Sequence, residues 1–544
     1  MEEVTKQMER DLIFFRVHRE FNYGDFCYNQ LIRLRNEIGF WWFWEEISTD
    51  KQGRRSVVVA VEVGRGDGYL ELKTAPMIYN GINHLFYQWS TKGAVWGDVV
   101  WAHTTSTELV NWIHHKYAIV PSEPFDIEGV WSGSATFVQG KPIIQYTGII
   151  KSSQWNYQVQ DMAVPKNLSD PYLVEWVKPV QYNPVIKPTG IINGSAFRDP
   201  TTGCQAEHAL HWAKDTGMWE CPDFFPVSVD GKEGLDTSVL GPNVKHVFKV
   251  SLDDTKHDYY TIGTYNPEKD KYTPDEGSID NDSGLRYDYG KFYASKTFFD
   301  SEKNRRVLWD WVNESSSVAD DIKKGWAGLQ AVPRTVWLAE NCKQLKQWPV
   351  KEIQQLRTKR VSLQSHVLKR HSILEVPGLT ASQADADVKF KLPKLKDAEI
   401  MDPSWVNPQL LCSSKPASVQ GKSGPFGLLA LASKNLEEQT AIFFKFVWPS
   451  EQVSFVSHFN VHFRLTLNSY SMRLNIDHSI VESYGVHGKA VITARVYPTL
   501  AIDSQAHLYV FNNGTEYVEM SSLKAWSMKK AEIKYLKDLK HSDI

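Results

Sequence analysis

Two acidic residues sit in settings that suit glycosidic chemistry. SAFRDP (195–200) places Asp199 between Arg198 and Pro200; the proline stiffens the backbone and the arginine would keep the aspartate ionised. MWECPDFFPV (218–227) places Glu220 beside Trp219 and before a Cys-Pro turn, an apolar setting that would raise a glutamate toward acid/base work. Splitting a glycosidic bond with retention needs two such carboxyl groups, a nucleophile and an acid/base, ~5–5.5 Å apart. WSGSAT (131–136) adds Trp131 for stacking and hydroxyls for sugar hydrogen bonds. Each segment alone also reads as ordinary structure: an Asp-Pro turn, a solvated glutamate, a strand end. Together, as three polar, aromatic-flanked segments in one chain, they say more.

The elements that must position them are strands. HLFYQW (84–89), DVVWAHTTS (98–106), GSATFV (133–138), PIIQYTGII (142–150), YYTIGTY (259–265), YASKTFFD (293–300) and RRVLWDWVN (305–313) are short β-type runs bounded by Gly, Pro, Asn and Asp. Many short strands at close spacing predict a sandwich, barrel or propeller. Residues 345–370 are more polar and read as a connector with some helical character. A second β-rich region follows, with runs at 384–392, 424–433, 440–448, 490–498 and 507–515. The division predicted is an unassigned extension over 1–67, a β domain over 68–350, a connector over 351–370 and a second β domain over 371–544. FWWFWEEIS (40–48) and VVVAVEV (57–63) are apolar islands in the extension, tied to nothing that follows.

Composition narrows the partners. At 544 residues the chain exceeds one compact core. A net charge of −3 gives no reason to expect nucleic acid or an anionic membrane. No run reaches the ~18 apolar residues of a membrane span, and the N-terminal MEEVTKQMERDLIFF does not read as a signal peptide. Five cysteines without a CxxC pair indicate neither a metal knuckle nor a disulfide scaffold. The 20 tryptophans are weighted toward core packing, with a sugar platform as the functional alternative. Five Asn-X-Ser/Thr sequons, at Asn167, Asn193, Asn281, Asn313 and Asn513, hint at a secretory route.

WSGSAT, SAFRDP, MWECPDFFPV, DDTKHDYYTIGTY (253–265) and YDYGKFYASKTFFD (287–300) closely resemble the plant acid invertases of glycoside hydrolase family 32. The resemblance runs from about Ala75 to about residue 530, and WECPDFFPV looks like the cell-wall type and its fructan exohydrolase relatives. It implies an all-β chain: a five-bladed β-propeller, one blade incomplete here, followed by a β-sandwich. It implies retaining hydrolysis of sucrose or related β-fructofuranosides, no cofactor, no metal, a cell-wall location and a proteinaceous inhibitor as a partner. Carried over, Glu220 resembles the acid/base and Asp199 the transition-state stabiliser that holds fructosyl hydroxyls, with Arg198 beside it. Gln88, Trp96, Trp131 and Ser132 resemble sugar contacts. Asp253 and Lys256 resemble the pair that goes with sucrose use, set against an ordinary exposed ion pair, and Tyr293 resembles a nearby substrate contact.

The chain also departs from that family. Where the family carries a W-M-N-D-P-N motif whose aspartate is the nucleophile, the same register reads Tyr69-Leu70-Glu71-Leu72-Lys73-Thr74. Leu72 cannot attack an anomeric carbon, and Glu71, one residue off on a strand, is expected on the opposite face. The segment between Asp199 and Glu220 is short for the strands that complete a blade, which predicts an open edge and a displaced Glu220. Residues 447–472 diverge, and with them goes the usual disulfide partner of Cys412. Losses at separate places between near-intact motifs look like missing coding segments rather than graded divergence. Two readings follow: a β-fructofuranosidase, or an inactive relative that binds sucrose or fructan or regulates an active invertase. Without the nucleophile, little or no turnover is expected of this chain.

Overall fold

The computed structural model describes residues 68–154, 156–190, 192–201, 209–391, 399–400, 416–448 and 469–535, with residues 68–74, 399–400 and 447–448 described by their backbone. The apolar islands at 40–48 and 57–63, Cys412 and most of the divergent stretch 447–472 lie outside the described residues.

The period-two, β-branched and aromatic runs form strands as expected. The first sheet contains β1 (Gly68–Tyr79), β2 (Ile82–Ser90), β3 (Val99–Ser106) and β4 (Trp112–His114). The β1–β2 hairpin closes on Asn80 and Gly81, at φ 48° and 77°. Two successive positive-φ residues match the right-handed twist of the flanking strands, and Asn-Gly is the pair that adopts them most readily. The second sheet is β5 (Gly129–Val138), β6 (Lys141–Ile150), β7 (Tyr157–Pro165) and β8 (Trp176–Val177). The third is β9 (Trp219–Ser228), β10 (Val244–Leu252), β11 (His257–Asn266) and β12 (Lys271–Pro274), with β13 (Leu285–Arg286) beside β11. The fourth joins β14 (Phe292–Asp300), β15 (Arg305–Val312), β16 (Arg334–Leu338) and β17 (Leu345–Pro349).

These are four full propeller blades among the described residues. Between β8 and β9, the described residues hold only two three-residue 3-10 turns, Val180–Tyr182 and Gly194–Ala196, where a further blade would stand. The architecture is the five-bladed propeller, with one blade incomplete among the described residues, followed by a β-sandwich.

Several tryptophans pack into the core: Trp101, Trp112 and Trp309 are fully buried. Trp112 meets Trp309 edge-on at 5.6 Å, joining the first and fourth blades. Residues 351–370 contain a single 3-10 turn, Lys351–Leu356; strands Arg357–Leu363 and His366–Leu368 then pair with Val518–Met528 in the sandwich. The sandwich core packs Leu368, Phe390, Leu428, Leu474 and Leu523 between its two sheets. Near the end of the chain, Ile533–Tyr535 returns to pair in parallel with β4.

Candidate active site

Asp199 and Glu220 lie in one buried cluster. Asp199 is 3% exposed and sits at φ 65°. Its carboxylate accepts the Ser132 hydroxyl on one oxygen and the Cys221 N–H on the other, at 2.9 Å for the latter. Its own N–H donates to Thr147 Oγ1 at 3.0 Å. Glu220, on β9, has both oxygens occupied. Arg198 donates to Oε1 from Nη2 and Nε at 2.9 and 3.1 Å, and the Tyr293 hydroxyl donates to Oε2 at 2.7 Å.

Two expectations need correction. The Arg198 guanidinium hydrogen-bonds Glu220 and acts on Asp199 through charge alone, while Asp199 takes its hydrogen bonds from a hydroxyl and a backbone N–H. Burial works against the Arg198 charge, but the Glu220 and Asp199 carboxylates outweigh it and hold its pKa above the ordinary value. The surroundings of Glu220 are polar, not apolar, because neighbouring residues on a strand face opposite ways. Trp219 therefore turns to the far side, packing on Phe248 at 5.6 Å and donating its indole N–H to Thr216 at 2.8 Å.

Around this pair the remaining candidates divide. Tyr293, on β14, is fully buried; burial first, then the Glu220 charge, pushes its hydroxyl pKa far above the ordinary value. Asp253 stands 4.0 Å from Arg198 and pairs with Lys256, whose ammonium lies 5.2 Å from the centre of the Tyr293 ring. The Asp253–Lys256 pair is thus joined to the cluster on both sides, which an isolated surface ion pair would not be. Trp131 and Trp96 meet edge-on at 5.2 Å, and Trp96, 45% exposed, leaves its ring open to solvent. Gln88 is buried and donates to the Val130 carbonyl at 3.3 Å.

Glu71 pairs across the ladder with Gln88, and the register shifts between Glu71 and Ala75. Strict face alternation does not carry through such an irregularity, so the expectation that Glu71 and Leu72 take opposite faces loses its basis.

Sequence reasoning missed Thr147, Cys221 as a backbone donor, Lys249 and Asp258. A threonine mid-strand and a lysine in VKHVFKVSL give no signal until the strands are assembled. Among the described residues no group of three or more His, Cys, Asp or Glu side chains could hold a metal ion, and no helix is long and apolar enough to cross a membrane.

The model of the glycosyl hydrolases family 32 N-terminal domain matches residues 68–213 and 204–349, and that of the family 32 C-terminal domain matches residues 352–527. The chain is 51% identical over 517 residues to a fructan 6-exohydrolase of Beta vulgaris, covering 84% of each chain. It is 50% identical over 518 residues to the beta-fructofuranosidase, insoluble isoenzyme CWINV1, of Arabidopsis thaliana, covering 84% of this chain and 88% of the relative. The crystal structure of fructan 1-exohydrolase IIa from Cichorium intybus superposes with a TM-score of 0.81 at 42% identity, covering 90% of this chain and all of that one.

Proposed function

The chain belongs to glycosyl hydrolase family 32, and on that premise we propose that it is a β-fructofuranosidase-type glycoside hydrolase whose pocket takes the fructosyl unit of sucrose or a related fructan. The observation that carries this reading is the Asp199–Cys221–Glu220 linkage. It holds a carboxylate that can accept sugar hydroxyls next to one that can exchange a proton with a glycosidic oxygen. In this reading Asp199 binds fructosyl hydroxyls, kept in place by Ser132 and the Cys221 N–H. Glu220 delivers the proton to the leaving oxygen, and Tyr293 and Arg198 fix its orientation. Asp253 and Lys256 border the leaving-group side, and Trp96, Trp131 and Gln88 line the sugar. The relatives' cell-wall type supports an extracellular location, with a proteinaceous inhibitor as the class of protein partner.

Retaining hydrolysis needs a nucleophile on the opposite side of the anomeric carbon, and the register that supplies it in the family holds Leu72 here. That residue favours a second reading, a pocket that binds fructosides with little turnover. Calorimetric titration of sucrose and 1-kestose into the folded chain and into Asp199→Ala tests the premise shared by both. Binding that is lost in Asp199→Ala supports it; a folded chain that binds neither sugar overturns it.

A further inference from the structure

Two interruptions in regular strand pairing carry the site, and they face each other. In β9 the register against β10 shifts between the Asp223–Lys249 and Glu220–Ser251 pairs, and Cys221 sits there at φ 45°. In β14 the register against β15 shifts between Tyr293 and Lys296, and Ala294 sits there at φ 67°. Neither residue is glycine, so each left-handed conformation persists because its surroundings impose it.

One ammonium group reaches both interruptions. Lys249 Nζ, fully buried, donates to Ser295 O at 2.6 Å, Cys221 O at 3.0 Å and Ser251 Oγ at 3.1 Å, and stands 3.3 Å from Asp258 Oδ2. Asp258 completes the clamp from the other polarity, accepting the Ala294 N–H at 3.1 Å and the Ser295 N–H at 2.9 Å. The residue before Ala294 is Tyr293, and the residue before Cys221 is Glu220, the two that hydrogen-bond each other. A buried ion pair that served stability alone would be replaceable by uncharged side chains of similar volume. This one is spent on four backbone groups, all within two residues of Glu220 or Tyr293.

We propose that Lys249 and Asp258 are positioning residues. They touch no ligand, but they set the Glu220–Tyr293 and Cys221–Asp199 hydrogen bonds and, through them, the pocket's affinity for a fructosyl ring. The affinity part rests on the functional reading above; the geometric part does not. The test compares the unmodified chain with Lys249→Met, Asp258→Asn and the double variant by thermal melting, calorimetric binding of 1-kestose and amide hydrogen exchange at Cys221. Each single variant strands a buried charge and melts lower. The double variant removes both charges and regains most of that loss. It is nevertheless expected to bind 1-kestose at least about tenfold more weakly and to exchange the Cys221 amide at least about tenfold faster. A double variant with the affinity and Cys221 protection of the unmodified chain overturns the proposal. If the unmodified chain binds no fructoside, the functional reading fails by itself and the Cys221 amide decides alone: unchanged protection refutes the positioning role, and faster exchange upholds it.

Discussion

The peptide group that follows Glu220 donates its N–H to Asp199: Cys221 N stands 2.9 Å from Asp199 Oδ2. The two carboxylates therefore share one backbone unit, although a blade is incomplete in the chain between them. Ser132 closes the other side of Asp199 through its hydroxyl. A buried hydrogen bond to a charged group contributes ~1.5–3 kcal/mol. Ser132→Ala is expected to weaken binding of sucrose or 1-kestose by about tenfold or more, read by calorimetry, with the fold intact by circular dichroism.

Arg334 ties the propeller to the sandwich. Fully buried on β16, it pairs with Asp288 at 3.0 Å and with Glu482 and Thr493 of the sandwich, both at 2.8 Å. Removing one partner of such a network leaves its carboxylates buried without compensation, at a cost of ~3–5 kcal/mol. Arg334→Met is expected to lower the melting temperature and to split a single calorimetric transition into two, one for each domain.

Asp161 works against the fold at neutral pH. It is buried in β7, neither of its oxygens has a hydrogen-bond partner among the described residues, and burial, then the Asp126 charge, pushes it up to about 8 from an ordinary 3.8. Its contribution is fully present below pH 3.8 and lost as pH rises toward 8, because the unfolded chain releases a proton that the folded chain keeps. Asp161→Asn removes that titration. Its melting temperature is expected to exceed that of the unmodified chain at pH 7, by a difference equivalent to at least ~1 kcal/mol, and to converge with it near pH 4.

Three histidines of the first blade act in the opposite sense. His84 and His103 are 3.1 Å apart through ring nitrogens, and His103 and His115 have centroids 4.9 Å apart. Burial lowers His84 to about 3 and His115 to about 4, with His103 well below its ordinary 6.5; Asp170 opposes the shift at His84 and His115. Depressed histidines stabilise above the unfolded value of 6.5, and that stability is lost as pH falls from there toward about 4, where the unfolded chain takes up protons first. Melting temperatures measured from pH 7 to 4.5 are expected to fall, and to fall less steeply in His103→Phe, which keeps a flat ring against Phe86.

Much of this was legible in the sequence where local chemistry is self-sufficient. The runs 142–150 and 259–265 fall within strands because β-branched and aromatic residues between turn formers have few other options. Asp199, Glu220 and Tyr293 stood in motifs long enough to be matched one by one. What the sequence hid were contacts made across sheets: Lys249 reaching Ser295 and Arg334 reaching Glu482 depend on how blades and sandwich assemble. The turn of Trp219 away from Glu220 follows from strand alternation and is legible in the sequence, whereas adjacency along the chain alone makes the tryptophan look like its environment.

In the function proposed above, Glu220 serves as acid/base and Asp199 as stabiliser, while the register of the nucleophile holds Leu72. Release of fructose from sucrose and 1-kestose by the unmodified chain, by Leu72→Asp and by Leu72→Asp with Glu220→Gln tests it most directly. A trace rate is expected for the unmodified chain, a rise of at least ~10³-fold in Leu72→Asp, and its loss when Glu220 is also changed. An unmodified chain that hydrolyses either sugar efficiently, at a rate Leu72→Asp does not raise, would contradict it.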